Sequence, residues 1–319
     1  MTVCVAALAQ FDDDRTKGRS PIVIMAADRM VTVREREYEF RDSTKCYWVT
    51  DQVGIMISGD PDALLLVCQQ VYRTARDKPL TKVPDIVAEF AACYEAERRQ
   101  AVENTAFRPF GLTIDDFLKR QNEFSPEFRE RLVGAIDNDD ADLGSAIIAG
   151  IDEDGAHLFT VSGVGAINTW SAGGYVAIGS GAEIAESAFI ASQYTPYRDW
   201  MEALVLTHNA KRRAEEASGV GRTTDLYYSL PGQRHVYFPP DSELQSHLDQ
   251  TFEKRLQGER LAVTEDARTL GKFLDDANAK ARLAELAETQ AEPGVSGVRI
   301  EPERVSEGAE EGQPESQAF

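Results

Sequence analysis

The chain has 319 residues, 42% of them hydrophobic, and a formal net charge of −20. That apolar content supports a sizeable core in one large domain plus an extension. The acidic balance excludes nucleic acid and anionic membrane surfaces as main partners, and no apolar run approaches the ~18–20 residues of a membrane span.

The chain opens MTVCVAALAQ. The apolar run Val3–Ala9 is short and gives way to FDDDRTKGR, which is not the pattern of a secretory leader. The four cysteines, Cys4, Cys46, Cys68 and Cys93, form no CxxC pair. Buried free thiols in a reducing cytoplasm are therefore expected.

Residues 2–10 and 22–28 read as two strands joined by a long polar loop. CYWVTDQVGIMIS at 46–58 gives two more around a TDQ turn. Asp60 and Pro61 then mark a helix start. A second helix covers 83–102, with Val87, Phe90, Ala91 and Tyr94 at the spacing of one buried face. Residues 102–143 read as an elaborated connection with two short helices, ending in the acidic DNDDAD. That segment lacks the Gly and the distant Glu of a calcium loop, so a solvated turn is expected.

Strands resume at 145–170 with a DEDG hairpin. GGYVAIGSG is a strand closed by Gly179-Ser180-Gly181, and two helices and two strands follow up to about Phe238. From about Ser242 the expected elements are two charged helices up to residue 290, then a disordered acidic tail over 291–319. Antiparallel strand runs alternating with helix pairs give an α+β fold. Two stacked antiparallel sheets between two helix layers, an αββα sandwich, bury all the apolar faces. GVGAIN at 163–168 lacks the third Gly of a dinucleotide fingerprint. The four scattered histidines have no zinc spacing. No metal and no cofactor is expected.

An N-terminal Thr carries a hydroxyl nucleophile and, in its own α-amine of pKa about 7.7–8.0, a general base. Here a Thr lies at position 2, and its small side chain suits removal of Met1 by an aminopeptidase. Further along come MAADRMVT with Asp28, then Lys45 and CYWVTDQVGIMISGD with Gly59, then the helix start DPDALLLV, then the GSG around Ser180. In this order and spacing, from Thr2 to about Phe238, the chain resembles the proteasome β-subunit family of N-terminal-nucleophile (Ntn) hydrolases. The Lys45-to-Gly59 interval matches the family without a gap.

The resemblance implies an Ntn-hydrolase domain over 1–240 and a threonine-type endopeptidase. Thr2 would be the nucleophile, Lys45 would lie beside it, and Asp28 would hold Lys45. Gly59 N–H would form the oxyanion hole, and Ser180 would bond near the Thr2 amine. Thr32 would align substrate backbone, with Val31 and Ile57 as apolar pocket walls. The family's late D-x-x-S-G reads here as EEASG, so Glu215 and Ser218 would take its Asp and Ser places. Met30 stands where the family often has Arg. The longer first hairpin, the 102–143 connection and the extension beyond 240 point to a divergent, bacterial-type branch. Implied partners are polypeptide substrates, further copies in a ring or helical homo-oligomer, and an ATPase unfoldase. Two alternatives share the fold: a catalytically inactive assembly subunit and a small-molecule amidase.

Overall fold

The computed structural model describes residues 2–13, 18–33, 36–39, 44–78, 80–137 and 142–291. The acidic segment at 138–141 and the tail beyond 291 lie outside the described residues.

Two five-stranded antiparallel sheets form the centre. The first has the order β10-β1-β2-β11-β12 and is built from β1 (Cys4–Asp13), β2 (Gly18–Asp28), β10 (Tyr175–Ile178), β11 (Thr224–Ser229) and β12 (Val236–Phe238). The second has the order β5-β6-β7-β8-β9, from β5 (Cys46–Trp48), β6 (Val53–Gly59), β7 (Gly144–Asp152), β8 (Gly155–Ser162) and β9 (Ala166–Thr169). A separate hairpin pairs β3 (Met30–Val33) with β4 (Arg36–Glu39). The helices are α1 (Pro61–Asp77), α2 (Val83–Val102), α3 (Ile114–Arg120), α4 (Pro126–Asp137), α5 (Ala182–Ala191), α6 (Trp200–Ala214) and α7 (Glu243–Ala291).

The continuous apolar runs of β1 and β2 follow from burial of both sheet faces. Successive side chains of a strand point to opposite faces. Val3, Val5 and Ala7 pack with Phe189, Leu204 and Ala210 of α5 and α6. Cys4, Ala6 and Leu8 face the second sheet, where they meet Met56, Ile147 and Leu158. The outer face of that sheet, with Ile55, Ile57 and Ile148, packs with Leu64, Val67, Phe90 and Tyr94 of α1 and α2. These three apolar seams define four layers, helix–sheet–sheet–helix, as expected.

The first hairpin is longer than the sequence suggests. Its register runs from Cys4↔Ala27 to Asp13↔Gly18, so much of the expected loop is strand. Pro21 is tolerated there because the ladder from β2 to β11 ends at Ser229↔Val23, leaving Pro21 on an edge where no N–H is needed. The 102–143 connection has its own small core of Phe107, Phe117 and Leu132, and a capping box between Thr113 and Asp116 starts α3. The two expected C-terminal helices are instead one helix, α7. Gly258 lies inside it, and a single Gly costs a helix only about 1 kcal/mol against Ala. By internal contacts the chain divides into two compact units, Met1–Leu256 and Gln257–Phe319. Leu248 and Phe252 are buried in the first. Leu261, Leu270, Phe273 and Leu274 are exposed.

Candidate active site

The start of β1, the end of β2 and the entry to β5 converge where the two sheets meet. Thr2 precedes β1 and is 3% exposed, Asp28 closes β2 with no exposure, and Lys45 precedes β5 at 8%. The main chain sets this convergence. The Asp28 N–H donates to the Val3 carbonyl at 3.2 Å, and the Ile57 N–H donates to the Lys45 carbonyl at 3.1 Å.

Lys45 Nζ donates to Thr2 Oγ1 and to Asp28 Oδ1, the latter at 2.8 Å. Thr2 Oγ1 in turn donates to Asp28 Oδ1. The Asp28 carboxylate is saturated by main-chain donors. Val3 N–H reaches Oδ1 at 2.9 Å, while Met30 N–H and Gly221 N–H reach Oδ2 at 2.9 and 3.0 Å. Five donors therefore fix one buried carboxylate. Next to it, Arg29 reaches Asp225 through Nε and Nη2, and Tyr237 Oη donates to Asp225 Oδ1 at 2.7 Å. This second pair ties the end of β2 to β11 and β12.

The Thr2 N–H donates to Ser180 Oγ at 3.3 Å. The Ser180 hydroxyl also lies 3.4 Å from the Thr2 carbonyl and 3.3 Å from the Ser218 carbonyl. Helix α5 is capped at Gly181 without a side-chain cap, so Ser180 serves the Thr2 end and not the helix. Gly179 is at φ +96°, and a Cβ there would run into the Thr2 carbonyl. Gly179→Ala should cost roughly 1–3 kcal/mol and displace Thr2. Thermal unfolding checks the first effect.

Gly59, at φ +139°, ends β6 opposite Gly144, and a Cβ would strike the main chain at 143–144. Together with Thr2, Lys45, Val31, Ile57, Met30 and Tyr47, it lines a pocket of about 70 Å³. A wider cleft of about 430 Å³ between β5 and α1 also includes Tyr47. Thr32 lies on β3 in register with Glu37.

Glu215 and Ser218 lie apart from the Thr2 hydroxyl. The Glu215 carboxylate accepts from Lys211 Nζ at 2.7 Å and from Arg212 Nη1 at 3.3 Å, and Ser218 offers its carbonyl to Ser180. Lys211, fully buried on α6, is absent from the expected set. The signal for it was present: Leu204, Thr207 and Lys211 share one helical stripe, and Glu215 lies at i+4. Cys4 is packed between the sheets, with its Sγ 3.4 Å from the Ile57 carbonyl. Burial pushes its thiol up to about 12, so it stays neutral and unreactive. Iodoacetamide at pH 8 should leave Cys4 unmodified in the native protein and modify it after denaturation, as peptide mass mapping would read. Among the described residues no group of three or more His, Cys, Asp or Glu side chains is placed to hold a metal ion.

Residues 141–223 match the family model described as proteasome subunit. The matched segment contains Ser180, Glu215 and Ser218 and stops short of Thr2, Asp28 and Lys45. A comparison with curated proteins gave no match. Over this segment the chain is similar to proteasome subunits, and its four-layer fold is consistent with that likeness.

Proposed function

We propose that the protein is a threonine-type peptidase that acts through Thr2 once Met1 has been removed. The observation that carries this reading is the buried cluster in which Thr2 Oγ1 is bonded to both Lys45 and Asp28. The released α-amine takes the hydroxyl proton as Oγ1 attacks a peptide carbonyl. The Lys45 ammonium, held by Asp28, stabilises negative charge growing on that oxygen. Gly59 N–H donates to the carbonyl oxygen as it becomes an oxyanion. The amine then passes its proton to the leaving nitrogen, leaving an acyl ester on Thr2. Water, deprotonated by the same amine, hydrolyses the ester and restores the hydroxyl. Ser180, carried on the segment next to Ser218 and Glu215, holds the amine in line.

The substrate is an extended polypeptide whose backbone runs beside Thr32 and whose side chain enters between Val31 and Ile57. These walls favour cleavage after apolar or small residues. Further copies of the chain complete a ring or helical homo-oligomer in the cytoplasm, and an ATPase unfoldase supplies unfolded substrate. Fluorogenic peptides ending in Leu or Ala, assayed with light scattering on the same sample, test this. Hydrolysis by a large homo-oligomer is the expected outcome. Particles free of Met1 that cleave no such peptide would exclude the peptidase reading.

A further inference from the structure

Lys211 poses an energetic question. It is completely buried in α6, and replacing a buried ion pair by apolar groups of similar volume is often neutral or stabilising. Burial pushes its ammonium toward the neutral form, and the neighbouring Glu215 opposes that. Its three donors are nevertheless matched to three acceptors: Glu215 Oε1 at 2.7 Å, the Gly221 carbonyl at 2.8 Å and the Arg222 carbonyl at 3.0 Å. Two of the three are main-chain groups in the turn leading to β11.

That turn serves the candidate site twice. The Gly221 N–H donates to Asp28 Oδ2 at 3.0 Å, and the Ser218 carbonyl lies 3.3 Å from Ser180 Oγ. Gly221 packs so closely on β3 and β4 that a Cβ would lie 3.1 Å from Met30 N and 2.7 Å from Glu39 Oε1. Residue 221 is thus held by its carbonyl from below, by Lys211, and presents its N–H to Asp28 above. Apolar packing fixes no carbonyl direction, whereas an ammonium between two carbonyls does.

We propose that Lys211 is a positioning residue for the Thr2 chemistry: it clamps the Ser218–Arg222 turn so that the Gly221 N–H keeps the Asp28 carboxylate aimed at Lys45 and Thr2. This rests on the peptidase reading above. A side chain that never touches substrate then sets the rate of acylation and leaves substrate affinity alone.

The test uses full-length protein and Lys211→Met, which fills the same space without donors. Two quantities are read: amide hydrogen exchange in the peptide spanning Gly221, and capture of Thr2 by a β-lactone, resolved into an affinity and an acylation rate. In the variant, Gly221 exchange should rise at least about tenfold. The acylation rate should fall about 10- to 100-fold with affinity changed less than about twofold. Unchanged exchange, or affinity and rate falling together, would overturn the proposal. Should Lys211→Met not fold, wild-type exchange decides: a Gly221 amide exchanging as fast as an unstructured chain overturns the clamp, and slow exchange supports it. Wild-type protein that shows slow Gly221 exchange but takes up no lactone would sink the peptidase reading and leave the clamp standing.

Discussion

Thr2→Ala should reduce peptide turnover by roughly 10⁴-fold or more while leaving the protein folded. The substitution removes one oxygen and one methyl group. It takes away the only group proposed to form the acyl bond, so no remaining side chain can carry the two-step route. Stability should change little, because Lys45 and Asp28 pair directly at 2.8 Å and stay paired when the hydroxyl is gone. Thr2→Ser keeps the nucleophile and should retain measurable turnover. Steady-state hydrolysis assays with thermal unfolding of each variant separate lost chemistry from lost fold.

Asp28→Asn has the second large effect, and here stability is the readout. The carboxylate has no solvent exposure and receives donors on both oxygens. Thr2, Val3 N–H and Lys45 meet Oδ1, and Met30 N–H and Gly221 N–H meet Oδ2. An amide NH₂ in either orientation points its own hydrogens at other donors. It also leaves the Lys45 ammonium buried without its counter-charge. Removing one partner of a buried pair costs roughly 3–5 kcal/mol, which lowers the unfolding temperature by roughly 10 °C in a domain of this size. Lys45→Met should cost less, because Asp28 keeps its main-chain donors. Calorimetry on the two variants orders them. Equal stability, or Lys45→Met the weaker, would contradict the donor arrangement around Asp28.

The layered fold was legible because β1 and β2 are buried on both faces and so read as unbroken apolar runs, while α1 and α2 carry clear helical spacing. The β3–β4 hairpin was not. MVTVREREYE passes from a mostly branched stretch into a charged one and holds none of the Gly, Asn or Asp that mark a tight turn. Helix α7 reads as two helices divided at Ala262-Val263-Thr264, where the β-branched Val and Thr weaken the helical signal, yet no Pro interrupts it there. In the candidate site, the residue types and spacings behind Thr2, Asp28 and Lys45 were readable along the chain. Their saturation by Val3, Met30 and Gly221 amides was not, since main-chain donors leave no mark in a sequence. Lys211 was visible as one half of an i,i+4 pair with Glu215. Its contacts with the Gly221 and Arg222 carbonyls were not visible, because main-chain acceptors leave no mark in a sequence.

The central claim is that Thr2 becomes a free N-terminal nucleophile, and intact-mass analysis of the purified protein before and after treatment with an N-terminal-Thr-directed epoxyketone or β-lactone tests it most directly. The account predicts a mass lacking Met1, a single adduct that peptide mapping places on Thr2, and no adduct in Thr2→Ala. Retained Met1, or an adduct that persists in Thr2→Ala, would contradict it.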